Sequence, residues 1–187
     1  MKNFVYNRCT KVIFGKHTEQ EVGKEVRSFT DTVLLHYGGG SIKKYGVYDT
    51  VVKSLKDEGI KIVELGGVVP NPRLDLVRKG IDMCRKENVG LVLAVGGGSV
   101  IDSAKAIAVG APYEGDVWDF AEDKAVPEKA LPVGVILTIP AAGSETSQYS
   151  VITNEDGDYP LKRDAVVQNQ QVIRPAFAIL NPELTYT

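Results

Sequence analysis

Short apolar runs alternate with amphipathic segments along most of the chain. Four runs predict strands with apolar side chains on both faces, at residues 32–37, 60–65, 90–95 and 133–139. A strand that is apolar on both faces is typical of a parallel sheet covered by helices on each side. The alternation therefore predicts an α/β fold, a Rossmann-like, doubly wound and mostly parallel sheet.

The segments between these runs predict helices, and the rest of the chain adds two strands. Helical spacing of apolar residues is found at Tyr45, Tyr48, Val51, Val52 and Leu55, and again at Leu74, Val77, Ile81 and Cys84. Further strands are predicted at 149–153 and 176–180, with a turn at 154–157. Residues 113–132 carry proline and many charges and predict a long surface excursion. We expect one domain over residues 1–187.

The tetrapeptide Gly-Gly-Gly-Ser occurs twice, each time between a predicted strand and a predicted helix. We call residues 38–41 the first corner and residues 96–99 the second corner. Consecutive glycines let the backbone approach a ligand and adopt positive φ, and a serine can cap the helix. Helix N-termini attract anions, and ligands of open α/β sheets bind where strands end, so both corners predict phosphate sites. A tight, well-capped turn is the alternative interpretation.

The residues that flank the corners favour NADP(H) as the ligand. Lys43 and Lys44 follow Ser41, and the first corner contains no carboxylate. A 2′-phosphate favours small, hydroxyl and cationic residues, whereas NAD sites usually place a carboxylate against the ribose. After the second corner, Asp102 follows Ser99 at the spacing of a capping box. NAD(H) remains an alternative, because the lysines could simply be solvated charges.

Composition and charge narrow the class of partner and the compartment. The net charge is −2, without the basic excess that nucleic-acid binding requires. Cys9 and Cys84 lie far apart, with neither disulfide-framework nor zinc-ligand spacing. No run approaches the roughly 18 apolar residues of a membrane span, and the first residues do not form a signal peptide. We therefore expect a cytoplasmic protein that uses neither nucleic acid nor a membrane as a partner.

Several motifs occur in an order that resembles the iron-containing alcohol dehydrogenase family. They are GGGSIKK at 38–44, GGGSVIDSAK at 96–105, YEGDVWDF at 113–120, GSE at 143–145 and NPELTYT at 181–187. The likeness covers essentially the whole chain and is greatest to the NADPH-using butanol dehydrogenase or aldehyde reductase branch. It implies the dehydroquinate synthase-like N-terminal fold and hydride transfer between a primary alcohol and its aldehyde.

The resemblance also implies a set of cofactor-binding residues. The adenosine 2′-phosphate would face Gly38, Gly39, Gly40 and Ser41, with Lys43 or Lys44 nearby. The pyrophosphate and ribose would contact Gly97, Gly98, Ser99 and Asp102. Thr138 and Ser144 would lie along the cofactor, and Lys162 and Leu180 beside the nicotinamide and its ribose. The alternatives are a backbone-bonded strand hydroxyl for Thr138, core packing for Leu180 and a surface lysine for Lys162.

In this family a divalent metal, Fe²⁺ or Zn²⁺, is held by an aspartate and three histidines of a following helical domain. This sequence ends before such a segment, and we interpret its histidines, His17 and His36, as structural. Without a Lewis acid, the chain alone is expected to bind NADP(H) but not to reduce aldehydes. The wall that faces the absent domain would expose apolar surface, so we also expect a homo-oligomer.

Two other functions remain open from the sequence. A relative of the same architecture, such as glycerol dehydrogenase or dehydroquinate synthase, would also carry a glycine-rich cofactor domain and use a metal. The VWDF and NPELT segments favour the alcohol dehydrogenases over these relatives. A stand-alone nucleotide-binding module without catalysis is the third interpretation.

Overall fold

A parallel sheet runs through the centre of the fold. The computed structural model describes residues 9–155, 161–164 and 171–186, with backbone alone for 161–164. Its strands are β1 (Lys11–Phe14), β2 (Thr32–Tyr37), β3 (Lys61–Leu65), β4 (Leu91–Gly96), β5 (Val133–Leu137), β6 (Val151–Asn154), β7 (Leu161–Asp164) and β8 (Phe177–Leu180). Six of them form one sheet in the order β1-β8-β5-β4-β2-β3, with parallel pairing throughout. β6 and β7 form a separate antiparallel pair.

Helices cover both faces of this sheet. They are α1 (Val22–Arg27), α2 (Ser41–Lys44), α3 (Val47–Asp57), α4 (Leu74–Glu87) and α5 (Gly98–Gly110), and short 3₁₀ turns precede α1 and follow α5. The helices α4 and α5 share one buried cluster with Leu34 of β2, whereas α1 and α3 share the other with Val33 and Leu35. Successive β2 residues thus point to opposite cores, which confirms the predicted doubly wound sheet with two apolar faces.

Several element boundaries differ from the sequence prediction. β5 ends at Leu137, so Thr138 lies in the following loop. Gly46 adopts a left-handed conformation (φ 76°), and it separates α2 from α3 where one amphipathic helix from Tyr45 was expected. β1 and β7 were not predicted, and residues 156 and 157 of the predicted turn lie outside the described residues.

The helices of the described residues are too short or too polar for any of them to cross a membrane.

Candidate nucleotide-binding site

The two corners lie side by side at the carboxyl edge of the sheet. The first corner follows β2 and the second follows β4, and these strands are neighbours. Their connections leave in opposite directions, because β2 continues through α2 and α3 to β3, whereas β4 continues through α5 to β5. At such a reversal the helices diverge to opposite faces and leave a crevice, which is where open α/β sheets bind ligands.

Five glycines, all in the corners, are not explained by the packing of the chain itself. At Gly96 an added Cβ would lie 2.6 Å from Cγ2 of Val100, so the fold itself requires glycine there. At Gly39, Gly40 and Gly98 a Cβ would meet no atom within 4 Å, and φ lies outside the left-handed region. At Gly38 and Gly97 a Cβ would make only ordinary van der Waals contacts, at 3.4 Å or more, so among the described glycines these five have neither constraint. Both corners thus keep space open for something other than the chain.

The second corner exposes unbonded N–H groups at the start of a long helix. Gly97 is extended (φ −94°, ψ −168°), and its carbonyl accepts from the N–H groups of Val100 and Ile101. The N–H groups of Gly98 and Ser99 have no acceptor among the residues that the structure describes. Because α5 is 13 residues long, its dipole adds partial positive charge at this end. The second corner can therefore bind an anion such as a phosphate.

The serines and glycines of the corners work differently from the prediction. None of the glycines at 38–40 and 96–98 has φ in the left-handed region. Neither Ser41 nor Ser99 caps its helix, because the N-cap residues are Gly40 and Gly97, which have no side chain to accept a hydrogen bond. The predicted capping box is also wrong, because Asp102 accepts hydrogen bonds from Oγ of Ser144 (2.6 Å) and the N–H of Val151 (3.1 Å) instead. The glycines provide clearance rather than an unusual backbone conformation.

The loop after β5 forms a wall beside the second corner. The N–H of Thr138 donates to the carbonyl of Gly96 (3.1 Å), and Cβ of Ile139 would lie 3.4 Å from a Cβ placed on Gly97. Further along the loop, Ser144 donates to Asp102 of α5. Thr138 and Ser144 were both predicted to contact the cofactor. The fold brings both of them next to α5, the helix that begins at the second corner.

A cavity of about 240 Å³ adjoins the first corner. It is lined by Ser41, Ile42, Tyr45, Val47, Thr138, Ile139, Glu183, Leu184 and Tyr186. Apolar walls with a few hydroxyl groups suit a heterocyclic base with an attached sugar. The lining also contains the carboxylate of Glu183, whose Oε1 lies 2.7 Å from Nζ of Lys16. This hydrogen bond holds the pKa of Glu183 below its ordinary value and balances its negative charge.

The ammonium of Lys43 lies over aromatic rings and does not line the cavity. Its Nζ is 5.2 Å from the ring centre of Tyr37 and 4.6 Å from that of Tyr48. Both tyrosine hydroxyls donate to the carboxylate of Glu64, at 3.1 and 2.8 Å. The bond to Glu64 is the largest cause that raises the pKa of Tyr48 to about 12. A cation over two aromatic rings is held there by cation–π attraction.

Two other predicted residues, Lys44 and Leu180, also lie outside the lining of this cavity. Lys44 places Nζ 5.4 Å from the ring centre of Tyr45. Leu180 ends β8 and packs, partly buried, against the core. Lys162 belongs to β7, where its backbone pairs with Thr153, and its side chain lies outside the described residues.

The two histidines lie in different surroundings. His36 is fully buried, with Nδ1 donating to the carbonyl of Leu65 and Nε2 accepting from the Ser103 hydroxyl, each at 2.8 Å. Burial lowers its pKa to about 4. His17 is exposed and starts a 3₁₀ turn. Within the described ranges, no group of three His, Cys, Asp or Glu side chains could hold a metal ion, so these residues do not fit one.

The sequence analysis missed residues of two kinds. Glu183, Leu184 and Tyr186 line the cavity, but they lie in a short segment without periodicity that was used only for its resemblance. Asn181 anchors this segment, because its amide donates to Glu19 and its Oδ1 accepts from the N–H of Glu183. The other omission is Lys105, a buried charge within the mostly apolar α5, which was a signal that the sequence did contain.

The fold defines a class, the Rossmann-like α/β domains, in which ligands bind at the reversal of the strand order. Residues 9–182 match the family model of the iron-containing alcohol dehydrogenases. The chain therefore belongs to the iron-containing alcohol dehydrogenase family, which confirms the resemblance found in the sequence.

The similar proteins include dehydrogenases named for different cofactors. Probable NADH-dependent butanol dehydrogenase 2 of Bacillus subtilis is 49% identical over 187 residues, which are 100% of this chain and 47% of the relative. The NADPH-dependent aldehyde reductase of Escherichia coli is 38% identical over 191 residues, and the match covers 100% of this chain and 47% of that protein. The crystal structure of NADH-dependent butanol dehydrogenase A from Thermotoga maritima matches with a TM-score of 0.92 at 47% identity, and the match covers 100% of this chain and 46% of that structure's chain. The chain thus spans about half the length of the curated relatives it matches.

Proposed function

We propose that this chain is the cofactor-binding domain of an NADP(H)-dependent alcohol dehydrogenase that interconverts a primary alcohol and its aldehyde. The bound nicotinamide would supply or accept the hydride. The residues of this chain bind the dinucleotide, fix its direction across the sheet edge and leave the nicotinamide end for the substrate. Metal chemistry is not assigned to the described residues, because they contain no fitting ligand group.

One observation carries this proposal. The five described glycines that neither packing nor backbone conformation requires all lie in the two corners, on neighbouring strands at the reversal of the sheet. A glycine that packing and backbone conformation leave unexplained indicates close approach of something else. Two such open spaces side by side suit one extended ligand that carries an anionic group near each corner. A dinucleotide has this form.

The residues suggest the direction of the dinucleotide. The adenosine would occupy the cavity at the first corner, with its 2′-phosphate near Gly39, Gly40 and Ser41. The pyrophosphate would accept from the N–H groups of Gly98 and Ser99. Beyond it the cofactor would pass the positions proposed from the family resemblance, which are Asp102, Thr138, Ser144, Lys162 and Leu180.

The preference for NADP(H) over NAD(H) rests on the first corner. This corner contains a hydroxyl, three glycines and no carboxylate, which suits a 2′-phosphate. The carboxylate of Glu183 in the cavity is balanced by Lys16, so it does not oppose an anion with its full charge. Lys43 adds positive charge close to the corner, although its ammonium lies over the rings of Tyr37 and Tyr48.

The test is a fluorescence titration of the chain with NADPH and with NADH, repeated for Ser41→Asp. We expect tighter binding of NADPH, and an added carboxylate at position 41 should weaken NADPH about tenfold or more while changing NADH less than about threefold. The matched control is Asn88→Asp, which adds the same charge at an exposed left-handed position after α4, at the opposite edge of the sheet.

The outcomes separate the parts of the proposal. Binding of neither dinucleotide by the unmodified chain would contradict the proposed function as a whole. Equal affinities for NADPH and NADH would contradict only the 2′-phosphate preference.

We further propose that the chain forms a homo-oligomer. β1 ends the six-stranded sheet, and two of its apolar side chains, Val12 and Phe14, are 51% and 70% exposed. An apolar edge strand favours association with another chain. Sedimentation velocity at high concentration should show a dimer or larger species, and a cleanly monomeric chain would contradict this proposal.

A further inference from the structure

Lys105 is a fully buried ammonium group that the proposed cofactor contacts do not use. It lies on α5, on a helix whose neighbouring residues are almost all apolar. Its Nζ donates to four oxygen atoms of the loop between β5 and β6: the carbonyl and Oγ of Ser144 (2.7 and 2.9 Å), Oγ of Ser147 (3.2 Å) and the carbonyl of Tyr149 (2.8 Å). Because an ammonium has only three hydrogens, one hydrogen is shared between two of these four oxygen atoms.

Asp102, one helical turn before Lys105, holds the same loop through a second set of bonds. Its Oδ1 accepts from Oγ of Ser144 and its Oδ2 from the N–H of Val151, at 2.6 and 3.1 Å. Its backbone carbonyl accepts from Oγ of Ser150 (2.8 Å). The Ser144 hydroxyl therefore accepts from the cation and donates to the carboxylate, so that one atom joins the two charged groups of α5.

The charge of Lys105 is not an obvious source of stability. In the part of the chain that the structure describes, every hydrogen-bond acceptor of its ammonium is a neutral oxygen. Burial, and secondarily Arg174, lower the pKa of Lys105 to about 8, although Asp102 and Glu145 act in the opposite direction. A folded-state pKa below the ordinary 10.5 means that folding disfavours the charged form at neutral pH. An apolar side chain of similar length would avoid this cost.

We infer that Lys105 is a positioning residue of the cofactor site, whose ammonium holds residues 143–149 against α5 so that Ser144 and Asp102 are in place before the dinucleotide binds. The inference rests on the proposed function of the second corner. It also predicts that Ser144 accepts rather than donates in its contact with the cofactor, because its hydroxyl hydrogen is already donated to Asp102. Ser144 Oγ then offers the cofactor a lone pair, which suits a ribose hydroxyl rather than a phosphate oxygen.

The test compares Lys105→Met with Ile107→Val in the full chain. Ile107 is fully buried on the same helix, and its truncation weakens packing without touching the loop. Three quantities are measured: the dissociation constant for NADPH, the thermal unfolding midpoint, and amide hydrogen exchange of residues 144–151 without cofactor. For Lys105→Met we expect about tenfold weaker NADPH binding and faster exchange in 144–151, with an unfolding midpoint that is unchanged or raised.

Ile107→Val should do the opposite, lowering the midpoint while leaving affinity and loop exchange close to those of the unmodified chain. If Lys105→Met does not fold, Lys105→Ala with n-propylammonium provides the same comparison, because the added amine fills the missing part of the side chain. Recovery of NADPH affinity with increasing n-propylammonium would support the inference.

Two results would overturn the inference while leaving the proposed function intact. One is NADPH binding by Lys105→Met that equals that of the unmodified chain. The other is weaker binding accompanied by a lower midpoint and by faster exchange throughout the chain, which would indicate a purely structural role. Failure of the unmodified chain to bind NADPH or NADH is distinguishable from both, because it contradicts the proposed function itself.

Discussion

The first and second corners have the same four residues but open different structures. After the first corner, α2 lasts four residues and ends before Gly46, and the following helix is a separate element. After the second corner, α5 continues for 13 residues, ten of which are buried. The same tetrapeptide sequence after neighbouring strands thus leads to one short surface helix and one long central helix.

The residues that follow each corner explain this difference. After Ser41 the chain has Ile-Lys-Lys-Tyr-Gly, in which Ile42 is the only buried residue, and the glycine leaves the helical region of φ. After Ser99 the chain is rich in alanine and aliphatic residues, which form helices readily and are buried on nearly every side, against the sheet and α4 among others. A GGGS sequence is therefore followed closely by a helix, which begins at the serine in the first corner and at the third glycine in the second, and the next ten residues decide how far the helix continues.

The comparison also separates what each corner can bind. The second corner combines free N–H groups with a helix long enough to carry a substantial dipole, so it suits a buried pyrophosphate. The first corner lacks such a helix and offers clearance, a hydroxyl and the adjoining cavity, so it suits the adenosine end. The predictions below test this division, from the largest expected effect to the smallest.

The largest effect concerns His36, which links the two regions. It lies on the strand that leads to the first corner, and its ring bonds to Ser103 on the helix of the second corner. Since its pKa is lowered to about 4, the unfolded chain binds the proton at higher pH than the folded chain does. Its contribution to stability is full above about pH 6.5 and falls by about 3 kcal/mol as the pH drops to 4.

Denaturant unfolding at pH 7 and pH 4 measures this contribution, with His36→Gln compared with the unmodified chain. The variant should lose less stability on acidification, because other titrating groups are common to both proteins. His17→Gln, at an exposed position, serves as the control and should behave like the unmodified chain. An equal loss in His36→Gln and the unmodified chain would contradict the prediction.

Gly98→Val should abolish most of the binding at the second corner. The new side chain would fill the open space beside the free N–H groups, so the affinity should fall roughly 100-fold for NADPH and NADH alike. The thermal midpoint should change little, because a Cβ at this position meets no atom of the chain. Asp75→Val is the control, since it puts the same side chain at an exposed site in the first turn of α4. Unchanged affinity for both cofactors would remove the second corner from the site.

Much of the fold was predictable because burial leaves a clear pattern. β2 was predicted with both ends correct, since all six of its residues are apolar or buried between helix layers. β1 was missed because it is an edge strand with mostly exposed side chains, and its position depends on pairing with β8 at the far end of the chain. Pairing between distant segments has no signal in a local pattern.

The site was predictable in its corners but not in its hydrogen bonds. The repeated GGGS predicted where the crevice lies, because the end of a buried strand is a position that the sequence defines. It did not predict that Asp102 bonds to Ser144 instead of closing a capping box, since that bond joins a helix to a loop 42 positions further along the chain. The surroundings of Lys105 depend on the same loop, so a charge in an apolar helix was the only local indication of its role.

Gly39→Val should weaken binding at the first corner by less than the change at the second. A branched side chain would enter the open space near the adenosine end, and we expect about tenfold weaker NADPH binding with a smaller effect on NADH. The ratio of the two dissociation constants, measured by titration, is the readout. An equal loss for both cofactors would show that the first corner does not distinguish the 2′-position, and the division between the corners would need revision.

The smallest effect concerns the charge held behind the first corner. The ammonium of Lys43 lies 4.6 Å from the ring centre of Tyr48, and such a contact at an exposed site is worth about 0.5–1 kcal/mol. Tyr48→Leu removes the nearer of the two rings and loosens the hold on this charge, so NADPH affinity should rise about threefold while NADH affinity stays unchanged. The gain should shrink at high salt, because it is electrostatic. Tyr48→Phe keeps the ring and should leave the ratio unaltered; an equal gain in both variants would instead assign the effect to the lost hydroxyl bond with Glu64.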